Sequence, residues 1–195
     1  MNPKQNSRPS IKHFLLAAIL LFFLPGNSNA QTWISVGSEG FSEGESFTQS
    51  IAFIGETPYV AYMDRANNDK STVMKFNGDN WEVVGNAGFS PGKARSLSFA
   101  VSETTPYVAF SDEANGEKAT VMKFDGTDWI FVGGAGITEN IADEVSLAIE
   151  NDVLWLAFQD AAHDSKVTVI KNGGNGWAVV GSPGFSTGCS ALSWA

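Results

Sequence analysis

The chain has 195 residues and a formal charge of -9, with 20 glycines, 14 phenylalanines, six tryptophans and a single cysteine, Cys189. One cysteine excludes a disulfide framework, so burial in the fold has to supply the stability. The acidic balance argues against nucleic acid and anionic lipid as partners.

The first thirty residues read as an export signal. Lys4, Arg8 and Lys12 precede an unbroken apolar run from Phe14 to Leu24, which Pro25-Gly26 closes. Eleven residues are too few to span a bilayer, for which roughly 20 are needed. Small side chains at Ser28 and Ala30 fit a signal-peptidase site and make Gln31 the mature N-terminus. The mature 165 residues carry a formal charge of -12 once the three basic residues are removed. The expected location is extracellular, cell-surface or periplasmic, with no membrane insertion after cleavage. N-terminal sequencing of protein from culture fluid or periplasm is expected to begin at Gln31; intact Met1 in a membrane fraction would contradict this.

Beyond Gln31 the chain repeats itself. Trp33, Trp81, Trp129 and Trp177 stand 48 residues apart. Gly37, Gly85, Gly133 and Gly181 keep the interval, as do Asp64, Asp112 and Asp160, and Lys75, Lys123 and Lys171. Each unit holds four short runs of β character. The first is Ser50 to Phe53 and its copies from Ser98 and Ser146, where small and bulky residues alternate as a strand's two faces require. The second, Tyr59 to Tyr62, returns as Tyr107 to Phe110 and Trp155 to Phe158, rich in aromatic and β-branched residues. The third is Thr72 to Phe76, and the fourth opens at the repeated Trp and ends at the repeated Gly. Asn77-Gly78 and Asp125-Gly126 are hairpin-turn chemistry, and the long Gly- and Ser-rich stretch from Gly37 to Gln49 suits a crossing between sheets.

No sustained 3.6-residue period appears, so the domain is expected to be all-β. A four-stranded unit repeated in tandem, with apolar residues on both faces, predicts a β-propeller-type array of antiparallel blades. The expected boundaries are 31–48 for an outer strand at Trp33 with its linker, then units at 49–96, 97–144 and 145–189. Residues 190–195, which include Leu192-Ser193-Trp194-Ala195, start a fourth unit, so an incomplete ring is expected. The runs Pro58 to Asp64, Thr72 to Gly85 and Gly88 to Gly92 resemble repeats of secreted proteins of Bacteroidetes-like bacteria, P-Y-V-A-Y-x-D, T-V-M-K-F-N-G-x-x-W-x-x-V-G and G-F-S-x-G. The resemblance covers Gln31 to Ala195 and implies propeller blades of large cell-surface proteins, with no general activity attached. The chain departs from it at Ile137-Thr138-Glu139-Asn140, and at Asn172, which stands where Phe is expected.

Candidate chemistry is sparse. G-x-S-x-G occurs at Gly40, Gly88 and Gly184, but a nucleophile elbow needs a following helix and a general base, and His163 is the mature chain's only histidine. These serines are expected to serve turns and packing. The stretch from Asp64 to Lys70 and its copies lack calcium-loop spacing, so the repeated Asp is expected to cap a turn, with Lys70, Lys118 and Lys166 placed to neutralise it. The repeated Trp is expected to pack between sheets, and the in-strand lysines to lie at an exposed edge or meet a carboxylate.

The function expected from these features is a non-catalytic extracellular binding or surface-interaction module, without cofactor, whose partner is a protein or glycan. Self-association could complete the ring. Two alternatives stand beside it: a propeller-type glycoside hydrolase or lyase, whose two carboxylates would come from different blades, and a structural segment of a longer surface protein. A binding face is expected where the crossing linker and the acidic loop emerge together, with Asp69, Glu113 and Asp143 as candidate ligand-binding residues, because these segments vary most in charge between units.

Overall fold

The computed structural model describes residues 32–187. The chain divides into a short unit ending at Ile34 and a second unit starting at Ser35, which holds every strand among the described residues. The first blade is β1 (Ser46–Ile54), β2 (Thr57–Asp64), β3 (Lys70–Phe76) and β4 (Trp81–Val83). The second is β5 (Ala94–Ser102), β6 (Thr105–Asp112), β7 (Lys118–Phe124) and β8 (Trp129–Phe131). The third is β9 (Ala142–Glu150), β10 (Val153–Asp160), β11 (Lys166–Asn172) and β12 (Trp177–Val179). Each blade is a separate antiparallel meander in sequence order. The first strands β1, β5 and β9 neighbour one another, so they form the inner edge and the blades stand in chain order as the arc of a propeller.

The core lies between blades. Each blade presents small residues to the next and large ones to the previous. Ala61 and Val73 of the first blade meet Phe99, Phe110 and Met122 of the second. Ala109 and Val121 of the second meet Leu147, Phe158 and Ile170 of the third. Burying each large side chain is worth about 1.5–3 kcal/mol, and small-against-large packing lets two twisted sheets close without voids. Ile51 and Phe53, on the first blade's outward face, are 61% and 59% exposed, whereas their repeat equivalents Phe99 and Leu147, at the position of Ile51, are 6% and 7% exposed.

Two sets of polar contacts tie the blades together. At the inner edge, hydroxyls of one blade accept from backbone N–H groups of the next: Ser50 from Phe99 at 3.1 Å, Ser98 from Leu147 at 3.0 Å and Ser96 from Val145 at 2.8 Å. At the outer edge the indole N–H of Trp81, Trp129 and Trp177 donates to the carbonyl of Val36, Val84 and Val132, each 45 residues earlier, at 2.8–2.9 Å. The glycine after each such carbonyl is required: Gly85 has φ +73, and a Cβ there would sit 3.0 Å from Phe124 and 3.2 Å from Trp129. Trp129 and Trp177 are thus inter-blade packing with one directed bond, and Trp81 makes the same bond to the segment that precedes the first blade.

Two sequence expectations need correction. No strand forms at Trp33: residues 32–35 are irregular. Every fourth strand seen pairs with a third strand of its own blade, and no third strand precedes Trp33 among the described residues. The inner strands start at Ser46, Ala94 and Ala142, three residues before the expected boundaries of 49, 97 and 145. A bulge in each, at Thr48, Ser96 and Glu144 with φ of 48°, 46° and 47°, interrupts the alternation that marked the strand, and pairing resumes beyond it. Where the chain departs from the G-F-S-x-G pattern, Thr138 does the work of the serine it replaces: its Oγ1 accepts from Ala119 N at 3.0 Å and donates to Asn140 O at 2.8 Å, as Ser90 does with Ser71 N and Gly92 O. The expected export signal, residues 1–30, and the expected start of a fourth unit, residues 190–195, lie outside the described residues.

Candidate functional site

One end of the blades carries the crossing linkers and the acidic loops, as expected. Arg65 N donates to Glu45 O, Ala94 N to Asp69 O, and Glu113 N to Lys93 O. Each loop is a single 3₁₀ turn capped by the repeated Asp. In the second blade Asp112 Oδ1 accepts from Ala114 N at 3.1 Å, and Oδ2 from Asn115 Nδ2 at 2.7 Å and Thr120 Oγ1 at 3.1 Å. Thr120 Oγ1 in turn accepts from Gly136 N at 3.0 Å, which pins the outgoing linker to the loop. Asp64 and Asp160 repeat the arrangement, with His163 Nδ1 lying 2.8 Å from Asp160 Oδ2 in place of the asparagine. Hydrogen-bond donors therefore compensate each carboxylate, and the lysines at 70, 118 and 166 make no ion pair with it among the described residues; Lys166 lies 3.5 Å from Asp164 instead.

Asp69, Glu113 and Asp143 all lie at this end, on three different blades. Asp69 accepts both contacts from Arg65 Nη1 at 3.0 Å, and Glu113 lies 3.7 Å from Lys93 and 3.9 Å from Arg95. Asp143 is exposed at the start of β9, opposite Gln159. None of the three lines a recess among those found at the surface.

The opposite end, where the β1–β2 and β3–β4 turns and their copies lie, opens between blades. The first recess, about 490 Å³, has Tyr59 and Lys75 of the first blade facing Thr104, Pro106, Phe124 and Asp125 of the second. The second, about 400 Å³, has Tyr107 and Lys123 of the second blade facing Asp152, Leu154, Asn172 and Gly174 of the third. Tyrosine and lysine are directly opposed across each strand pair, Tyr59 with Lys75 and Tyr107 with Lys123, so one aromatic ring and one ammonium share each wall. The third blade repeats the wall with Trp155, whose ring centroid lies 5.3 Å from Lys171 Nζ.

The lysines are compensated unequally. Lys75 meets Glu82 at 3.0 Å; this hydrogen bond raises its pKa and lowers that of Glu82. Lys123 faces Ile130 across the ladder, and no carboxylate pairs with it among the described residues. Burial, then the negative charge of Asp152, push the Tyr107 phenol above its ordinary pKa. Asp125 in the first recess is held low by N–H groups of Asp128 and Thr127, which fix it in its turn. Sequence reasoning passed over these recesses because each is built by two blades, and its one trace in the sequence was a lysine repeated inside a strand beside an aromatic.

Among the described residues no group of three or more His, Cys, Asp or Glu is gathered as a metal site, and no helix is long and apolar enough to cross a membrane. The molecule is an all-β protein of propeller type; its described residues form three four-stranded blades with a recess at each of their two junctions.

No protein-family model and no curated protein matches the chain. Among solved structures it is similar to a polysaccharide lyase, an ulvan lyase, with a TM-score of 0.53 and 14% identity over 72% of this chain and 40% of the lyase. A variant of the Aleuria aurantia lectin in complex with alpha-methyl-L-fucoside gives a TM-score of 0.50 and 18% identity over 75% of this chain and 46% of the lectin. A fucose lectin from Kordia zhangzhouensis gives 0.48 and 11% over 69% of this chain and 99% of that one. At these identities the likeness is one of fold, and the chain spans less than half the length of the lyase and of the Aleuria lectin.

Proposed function

We propose that the mature chain is an extracellular, non-catalytic carbohydrate-binding module that takes saccharides in the recesses between blades. The observation that carries this is the recurrence, at the repeat interval, of an aromatic ring and a lysine on one wall of a recess of 400–490 Å³, a size suited to a small ligand. An aromatic face accepts the C–H face of a sugar ring while polar side chains take its hydroxyls. The scaffold is also one on which saccharide recognition is built, since the lyase acts on a polysaccharide and the Aleuria lectin holds a fucoside. A binding role without catalysis is favoured because each junction recess contributes a single carboxylate, Asp125 or Asp152, where glycoside hydrolysis ordinarily takes two. Export through the N-terminal segment would place the module outside the cell.

Glycan-array screening followed by calorimetry tests this. Tyr107→Ala is expected to weaken the saccharide found by at least ten-fold, and the triple reversal Asp69→Lys, Glu113→Lys and Asp143→Lys at the loop end to change it less than two-fold. The opposite pattern would move the site to the loop end, and an array without any glycan bound would remove the carbohydrate role.

A further inference from the structure

We infer that the recess between the second and third blades is the specific subsite, and that it selects a neutral pyranose with neighbouring free hydroxyls through Tyr107, Lys123, Asp152 and Asn172. This rests on the carbohydrate-binding role proposed above.

The two recesses are repeat copies that differ at several positions, and the carboxylate moves between them: Asp125 of the first is Gly173 one repeat later, and Thr104 of the first is Asp152. Where the first has Phe124, the second has Asn172, an amide only 6% exposed. In the first two blades that position is an aromatic, Phe76 or Phe124, with its ring 5.6 Å from the repeated Trp. Asn172 Oδ1 accepts from Gly174 N at 2.8 Å, which fixes the amide's orientation and leaves Nδ2 with no hydrogen-bond partner among the described residues. Nδ2 is not sealed from solvent, so it is open to donate to a ligand oxygen in the recess.

Where the first recess has Thr104, the second has Asp152. Ser102 Oγ donates to Asp152 Oδ1 at 3.0 Å, and a carboxylate has further lone pairs to accept two neighbouring hydroxyls. The lysine differs by its partner: Glu82 holds Lys75, and Ile130, at the repeat position of Glu82, leaves Lys123, which lines both recesses, able to donate into this one. The exchange of Pro106 for Leu154 is apolar on both sides.

The second recess thus offers a ring, an ammonium donor, an amide donor and a carboxylate acceptor. Its single positive and negative charges balance, so an acidic sugar would bring a carboxylate towards Asp152 on a mature chain already at a formal charge of -12, the -9 of the whole chain less Lys4, Arg8 and Lys12. Neutral hydroxyls use all four groups without that repulsion.

Calorimetry and saturation-transfer NMR on the mature chain test this, with methyl glycosides of glucose, galactose, mannose and fucose as neutral probes and methyl glucuronide as the acidic one. Expected are one site per chain for at least one neutral glycoside and glucuronide binding at least ten-fold weaker than the best of them. Asn172→Phe, which places in the third blade the residue the first two already use, and Asp152→Asn, which suits the left-handed backbone there (φ 62), are each expected to lose at least ten-fold in affinity while the melting temperature stays within a few degrees. Two equal sites, glucuronide preferred, or affinity kept within two-fold in both variants would overturn the inference and leave the broader carbohydrate role standing. If none of the probes binds while the array still finds a glycan, the selection stated here is wrong; if the array is also blank, both fall.

Discussion

Asp112→Ala is expected to destabilise the chain by about 3–5 kcal/mol, as when one partner of a buried charged cluster is removed. Asp112 is fully buried and satisfies three donors, the Ala114 N–H, the Asn115 amide and the Thr120 hydroxyl. Alanine leaves all three facing each other across a void, and each unmet buried donor costs about 1–3 kcal/mol unless water reaches it. Thr120 also holds Gly136 N, so the loss spreads to the linker entering the third blade. Asp112→Asn keeps the volume but turns an NH₂ or an oxygen towards donors that need acceptors on both sides, so a loss of about 2 kcal/mol is expected. Urea unfolding followed by tryptophan fluorescence measures both; a loss below about 1 kcal/mol for alanine would show that the network does not hold the loop. A native domain holds only about 5–15 kcal/mol in all, so the alanine variant should sit near the edge of folding. The loop lies at the opposite end from the recesses, so folded Asp112→Asn is expected to bind saccharide as the parent does.

Trp129→Ala is expected to cost about 3–5 kcal/mol, and Trp129→Phe about 1–3 kcal/mol. Trp129 is 9% exposed and stacks on Phe89 with ring centroids 4.2 Å apart and planes 8° from parallel. Its indole N–H donates to Val84 O at 2.9 Å, so phenylalanine keeps most of the apolar contact and loses the bond between the first and second blades. Trp177→Ala should cost less, because Trp177 is only partly buried and Ile137 stands where Phe89 would stack. That substitution is also where a cavity of about 160 Å³ opens, lined by Ile137, Phe158, Ile170 and Trp177 among others. Thermal and urea unfolding of the three variants orders them; equal losses at Trp129 and Trp177 would show that stacking and burial do not set the scale.

What was readable along the chain was whatever every blade needs in the same place. The 48-residue interval, the capping Asp, the indole and the glycine beside it recur because each junction between blades demands the same packed residues, and packing demands survive as letters at fixed spacing. Alternation marked the strands for the same local reason, a two-residue period set by the pleat. It failed at Thr48, Ser96 and Glu144, where a bulge breaks the period without a glycine to announce it. The loop end was also foreseeable from antiparallel connectivity, whereas Arg65, Lys93 and Arg95 had to be seen in space before Asp69 and Glu113 proved to be paired.

The recesses were a different kind of object. Tyr107 and Lys123 lie on one blade and Asp152 and Asn172 on the next, so the site exists only once two sheets are packed. Asn172 looked like a flaw in the repeat, since a departure from a pattern carries no sign of whether it loosens a core or opens a polar pocket. Only packing shows that the position faces an inter-blade recess, where the amide keeps one bond to Gly174 and its nitrogen stays open. Periodicity records what the blades share, and the chemistry of a recess comes from the few side chains at which neighbouring blades differ.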